Sequence, residues 1–266
     1  MKEKKHEKKI TICGYSLYYI FGYFSIYSII GCILETLFGA ITTGVIESRQ
    51  SFMYGPFCAI YGIGAIVMLL PLKYVKKHFV TLFTGGALVG SIVEFAVSFF
   101  GEMIYHVKWW DYSDMPLNID GRICIYFSVI WGLLAVIFMQ YIHPSVEKIV
   151  MKLIKNIPKN YLKITIIALF IFQFVDFWVS TLAVEMFTSR KIHELDLDVP
   201  DRKSIEQKYE FLYSNDLIVY LSKTIFNDDN MLKAFPNLKL EFNNGNVKYF
   251  REFMPEVTPY ILKLKD

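Results

Sequence analysis

FVTLFTGGALVGSIVEFAVSFF, residues 79–100, is a run of the length a helix needs to cross a bilayer, and it carries one ionisable side chain, Glu94. A carboxylate at the centre of a lone helix costs about 2.5–3.5 kcal/mol on insertion scales, so Glu94 is expected to turn away from lipid. Lys73, Lys76 and Lys77 stand just before the run. Four further apolar windows flank it, at about 17–41, 57–72, 123–142 and 164–186. The window at 57–72 is short and follows Gly55-Pro56, which predicts a segment that is tilted, partly re-entrant or extended by its flanks.

Composition agrees with that reading. Of 266 residues, 54% are hydrophobic and 17% aromatic, which is too apolar for an ordinary soluble domain of this size. The mean hydropathy is +0.36. A net charge of +3 is too small to argue for nucleic acid, and no RNA-binding signature is present. The expected fold is an all-α integral membrane protein, a five-helix transmembrane bundle with a small α+β polar tail. Residues 1–16 form a basic arm, 17–186 the bundle and 187–266 the tail. The first apolar run, about 25 residues, exceeds the usual 7–15 of a signal-peptide core and reads as a retained anchor.

Lysine placement predicts orientation, because short Lys/Arg-rich loops stay on the cytoplasmic side. Lys2, Lys4, Lys5, Lys8 and Lys9 precede the first helix. Lys73, Lys76 and Lys77 follow the second; Lys148, Lys152, Lys155 and Lys159 follow the fourth. The intervening loops hold only Arg49, and Lys108 with Arg122 at the border. The N-terminus is therefore expected on the cytoplasmic side of the membrane and the tail on the other, although Arg190-Lys191 directly after the fifth helix run against the pattern.

On this map Glu35, Glu94 and Asp176 fall in or near the outer half of three helices. Between the third and fourth lies KWWDYSDMPLNIDGR, residues 108–122. One polar chamber, open outward, would let Arg122 offset the three acids. The other reading is that they are buried bonds locking the bundle. Trp109, Trp110 and Tyr112 suit the membrane interface. Asn118 and Asp120 are placed to cap the fourth helix, whose N-terminal amides would join Arg122 in attracting an anion.

Two motifs carry a resemblance: Gly55-Pro56-Phe57-Cys58-Ala59-Ile60-Tyr61-Gly62, and the stretch from WWDYS at 109–113 to GRI at 121–123, with Glu35 before and Trp131-Gly132 after. They resemble the CmpB-like family of small bacterial membrane proteins, described as ABC-transporter type IV or ABC transporter permeases, over about residues 17–185. The resemblance marks Glu35, Arg49, Gly55, Pro56, Cys58, Tyr61, Gly62, Glu94, Trp110, Asp111, Tyr112, Ser113, Asn118, Gly121, Arg122 and Trp131 as motif positions. It implies a permease subunit. Where the family usually reads Cys-Pro-Ile-Tyr-Gly, this chain has Ala59.

No Gly-Lys dipeptide occurs, hence no Walker A loop, and any ATPase must be a separate polypeptide. Residues 144–159 form an amphipathic stretch with Lys148, Lys152, Lys155 and Lys159 off its apolar face. It suits the lipid of the inner leaflet, or an ATPase subunit. Gly86 and Gly90 form a GxxxG expected to pack within the chain. Cys58 and Cys124 fall near the same face, so a disulfide between them is open. Glu102, His106 and Asp111 are a weak metal set, and no cofactor or catalytic signature is present. The tail has 12 basic and 13 acidic residues between 188 and 266. It reads as one or two helices over 204–226 and a hairpin turning at Asn244-Gly245.

Two functions stay open. One is a transport subunit binding a small polar or anionic solute, or a lipid headgroup, through Glu35, Tyr61, Glu94, Trp110, Asp111, Tyr112, Ser113, Asn118, Arg122 and Asp176. The other is a membrane enzyme or accessory protein acting on lipid or peptide at the outer face.

Overall fold

The computed structural model describes residues 11–105 and 110–264. The basic arm's Lys2, Lys4, Lys5, Lys8 and Lys9, and His106, Lys108 and Trp109, lie outside the described residues. A short hairpin, β1 (Thr11–Ile12) with β2 (Tyr15–Ser16), leads into α1 (Leu17–Thr43). Then follow β3 (Val45–Glu47), α2 (Ala59–Leu72), α3 (Phe79–Tyr105) and α4 (Ile125–Ile137). A π-helical turn over Phe138–Ile142 joins α4 to α5 (His143–Ile154), and α6 covers Lys159–Glu194.

Four stretches, Leu17–Thr43, Phe79–Met103, Ile125–Ile154 and Lys159–Glu194, are long and apolar enough to cross a membrane. Large apolar side chains such as Ile41, Val80, Leu88 and Ile164 are exposed along them, as a lipid-facing surface requires. Four of the five windows read from the sequence become these crossing-length stretches, and the short one at 57–72 does not. At 14 residues, α2 spans about 21 Å against about 30 Å of hydrocarbon.

The amphipathic stretch at 144–159 is no separate helix either. The π turn carries α4 straight into α5, with the His143 amide bonded to the Phe138 carbonyl. Pro144 sits at the start of α5 and has no N–H to give the preceding turn, and a locally widened helix absorbs that loss.

The chain divides into two compact units. One holds the described parts of Met1–Tyr27, Tyr61–Phe95 and Tyr112–Ile171; the other holds Ser28–Ile60, Ala96–Asp111 and Phe172–Asp266. In the first, the GxxxG packs within the chain as expected: a Cβ on Gly86 would overlap Ala135, and one on Gly90 would overlap Trp131 of α4. The end of α2 returns to the start of α1, where the Lys73 ammonium reaches the Cys13 carbonyl and lies 4.2 Å from the Tyr15 ring.

In the second unit α6 continues well past residue 186. Its last turns, with Ala183, Met186, Phe187 and Ile192, are the floor of a hydrophobic core closed by Phe226, Met231, Leu232, Leu240 and Phe250. The elements here are α7 (Arg202–Tyr213), α8 (Asp216–Lys223), α9 (Asp228–Ala234), β4 (Lys239–Glu241) and β5 (Val247–Tyr249); Met231 and Leu232 lie on α9, Leu240 on β4, Phe226 between α8 and α9, and Phe250 in the turn after β5. The β4–β5 hairpin turns at Asn244-Gly245 as read from sequence, with Gly245 at φ 77° and its amide on the Phe242 carbonyl at 2.8 Å. Its left-handed backbone is why glycine stands there.

Arg190 and Lys191, the charges that broke the lysine pattern, are buried. Both pair with Asp228, at 2.6 and 2.5 Å, and Lys191 also with Glu194 at 2.7 Å. The chain ends in β6 (Tyr260–Lys263), which pairs antiparallel with β3 in the loop after α1. The sequence has no signal for that pairing, since both strands are only three or four residues long. All four cysteines are reduced thiols, so the Cys58–Cys124 disulfide does not form.

Candidate functional site

The polar residues gather around two separate foci, each inside one unit. The first is built on one face of α3, where Gly86, Gly90 and Glu94 recur every four residues. The two glycines let α4 approach until the Trp131 side chain lies over Gly90. That places the indole one turn below Glu94, and its Nε1–H donates to Glu94 Oε2 at 3.0 Å. The Tyr112 hydroxyl donates to Oε1 at 2.9 Å, and its ring stacks on Phe127 with centroids 4.5 Å apart. Glu94 is buried at 7% exposure. Burial, then the neighbouring carboxylate, pushes the Tyr112 phenol up from its usual range, so it stays an O–H donor at any physiological pH. Ser91 and Ser128 share a 2.7 Å bond below.

The loop above is self-supporting. The Tyr112 amide donates to the Gly121 carbonyl at 2.7 Å. Asn118 donates to the Ser113 and Met115 carbonyls and accepts from the Gly121 amide at 3.1 Å. Leu117, Asp120 and Gly121 all adopt positive φ, which this tight path demands. Neither Asn118 nor Asp120 caps α4. Its N-cap is Cys124, without a side-chain bond, and Asp120 accepts from Arg122 Nε at 2.7 Å instead. Asn118 spends its capacity inside the loop. Arg122 also lies 5.9 Å from the Phe95 ring.

Glu35, Trp110, Asp111 and Asp176 belong to the second unit, and Tyr61, on α2, to the first. The structure thus brings together Glu94, Tyr112 and Trp131, with Ser113, Asn118 and Arg122 on the loop that closes over them. Asp176 sits in a different setting. On α6, at 3% exposure, its carboxylate accepts from the Tyr54 amide at 3.1 Å and from Ser180 Oγ at 3.3 Å. Ser180 in turn accepts from the Met53 amide at 2.6 Å. These bonds hold the irregular chain before α2. That chain also bonds Ser51 N to the Phe57 carbonyl, and Cys58 N to the Ser28 carbonyl of α1 at 2.9 Å. Ala59 takes part: its amide donates to Ser51 Oγ at 3.0 Å, a bond the family's usual proline has no N–H to make.

The sequence reading missed Glu47. It is 3% exposed and accepts from Arg49 at 2.8 Å and Arg251 at 3.0 Å. Arg49 packs against Gly39 of α1. Glu47 is one acid in a short loop, and its partner Arg251 is 204 residues away, so no spacing rule points to it. Glu47→Ala leaves two arginines facing each other. Because Arg49 and Arg251 keep 22% and 32% of their surface in water, the expected loss is about 1–3 kcal/mol, below that of a fully buried pair. The expected readout is faster proteolysis within residues 195–264, and an unchanged digestion rate would count against this tie.

No group of three or more metal-binding side chains occurs among the described residues, and His106 of the Glu102–His106–Asp111 set lies outside them.

Four apolar crossing-length helices, a short broken fifth segment and a buried carboxylate under an aromatic loop make this a multi-pass membrane protein of transporter-like build. Residues 22–181 match the family described as Putative ABC-transporter type IV, and the chain belongs to that family. No curated protein and no solved structure matches the chain.

Proposed function

We propose that this protein is the membrane subunit of an ABC-type transporter, a permease whose polar chamber opens outward and takes a small polar or anionic solute or a lipid headgroup. The observation that carries the reading is Glu94, a buried carboxylate whose two oxygens are each held by one aromatic donor. A carboxylate has about four acceptor positions, so two remain for a ligand's donors. Arg122 on the covering loop supplies the opposite charge. Tyr61, Ser113 and Asn118, in the same unit, complete the site.

The orientation that fits is N-terminus in the cytoplasm of a bacterium and tail outside, with five crossings. The second crossing is part helix and part irregular chain. It starts against Ser28, eleven residues into α1, and α2 ends beside Cys13 ahead of α1. Non-helical backbone is tolerated at membrane depth where protein satisfies it, as Asp176 and Ser180 do here. Lys73, Lys76 and Lys77 then stay inside, and Arg190 and Lys191 cease to be an objection because Asp228 and Glu194 neutralise them. The lysines of α5 and the turn after it face anionic lipid or the ATPase subunit that must supply the nucleotide site.

Reconstituted with the ATPase that co-purifies, the wild type is expected to accumulate solute and Glu94→Gln to lose that uptake. Single cysteines at 94 and 122, in a background lacking Cys13, Cys32, Cys58 and Cys124, should react with an impermeant thiol reagent from outside. Uptake unchanged in Glu94→Gln would remove the site. Turnover of a lipid or peptide in detergent without any gradient would replace the transporter by an enzyme.

A further inference from the structure

A second polar constellation lies in the first unit, away from Glu94, at the lysine-flanked end of the helices. Tyr19, Tyr23 and Tyr27 recur every four residues on one face of α1 and surround His143, the first residue after the π turn. One residue inserted into a helix turns the remainder of that helix by about 100°, which is how His143 comes to face the tyrosines. Tyr27 Oη is 2.8 Å from His143 Nδ1, and Tyr19 Oη is 3.0 Å from Nε2. The Tyr19 hydroxyl also donates to Glu147 Oε1 at 3.4 Å. Tyr23 stands edge-on to the imidazole at 5.3 Å and Phe138 lies 5.8 Å away. His143 itself is 7% exposed. Glu147 and Lys76 are the charged groups whose fields reach the ring.

The Tyr19 hydroxyl has one proton and two acceptors in reach, His143 Nε2 at 3.0 Å and the Glu147 carboxylate at 3.4 Å. In the state in which it donates to Glu147, its oxygen accepts from His143 Nε2–H. Nδ1 then carries the lone pair and accepts from Tyr27. Every donor points toward Glu147. From this geometry we infer that Tyr27, His143, Tyr19 and Glu147 form a proton-conducting path between the interior of the bundle and its lysine-rich face, an activity that does not depend on the solute site at Glu94.

The transfer balances with water as its one co-reactant. Hydronium on the interior side gives a proton to the Tyr27 oxygen as that hydroxyl releases its own to Nδ1. The Nε2 proton moves to Tyr19 as Tyr19 passes its proton to Glu147 Oε1, and the carboxyl loses it to water. The ring is left as the Nδ1–H tautomer, and a water-relayed shift of that proton to Nε2, with rotation of both hydroxyls, restores the start. An imidazole flanked by hydroxyls suits this because it accepts at one nitrogen while it donates at the other. A purely structural bond between α1 and α5 needs one nitrogen only.

The test uses the full-length protein in phosphatidylcholine–phosphatidylglycerol vesicles with a trapped pH dye and a potassium diffusion potential. The wild type is expected to acidify the lumen faster than protein-free vesicles. Tyr27→Phe, which keeps the ring against Phe138 and removes one oxygen, and His143→Gln are both expected to fall to the protein-free rate, and Glu147→Gln to slow it. Glu94→Gln should leave proton flux at the wild-type rate while abolishing solute uptake, so the two proposals fail separately. If His143→Gln does not give monodisperse protein, Tyr27→Phe decides. A wild type no faster than empty vesicles, or a Tyr27→Phe rate equal to wild type, overturns the path.

Discussion

Gly86→Ala is expected to destabilise the protein by about 1–3 kcal/mol, the usual range for overpacking a tight interface. The added methyl would lie closer than 3.0 Å to the Ala135 Cβ, with the Trp131 carbonyl at 3.4 Å and the Gly132 Cα at 3.5 Å. None of these is the far end of a flexible side chain, so α3 and α4 must separate. The damage then travels: α4 carries Trp131, and a shift of its backbone loosens the 3.0 Å bond to Glu94. Gly64→Ala is the matched control. Nothing lies within 4 Å of its new methyl, and removing a mid-helix glycine should gain about 0.5–1 kcal/mol. Thermal unfolding of the two variants in detergent, followed by tryptophan fluorescence, should move in opposite directions. A Gly86→Ala midpoint at or above wild type would show that the GxxxG is not a packing face.

The second large effect is expected at Asp176. Replacing it by alanine strips the Tyr54 amide and the Ser180 hydroxyl of their acceptor in an environment where water is scarce. Losing a hydrogen bond to a charged group and leaving an unsatisfied donor together put the expected loss at about 1.5–3 kcal/mol. Asp176→Asn keeps one acceptor oxygen and should lose less. Ser180→Ala frees the Met53 amide next door, and the double variant should lose less than the sum, because one collapse of the 51–58 chain accounts for both. Midpoints from the same unfolding assay, combined in a double-mutant cycle, measure this. Strict additivity would mean that Asp176 and Ser180 hold the segment independently.

Glu94 and Asp176 show how far the sequence could be read. They looked alike as lone acids in apolar helices, and cost alone assigned both to the interior. Folding gives them different work, one bonded to Tyr112 and Trp131 and one to the backbone of Tyr54. A backbone amide has no letter in the sequence, so the partner of Asp176 was invisible. The short window at 57–72 was legible as irregular from Gly55-Pro56 and its length. What satisfies that irregularity was not. Asn118 and Asp120 were read as helix caps by proximity, yet positive φ at Leu117, Asp120 and Gly121 curls the loop so that Asn118 bonds within it and Asp120 meets Arg122. His143 drew no notice as a lone histidine, and only the π turn that carries α4 into α5 brings it against the tyrosines of α1.

Burial of apolar surface is additive along the chain. For that reason the sequence alone determined a multi-pass helical membrane protein, the packing glycines and the tail hairpin. Pairwise geometry is not additive. The tertiary structure alone decided which donors meet Glu94 and Asp176, that β6 returns to β3 beside a buried Glu47, and that two tyrosines grip both nitrogens of His143. Each depends on residues far apart in sequence reaching hydrogen-bond distance, and only the packed helices set those distances.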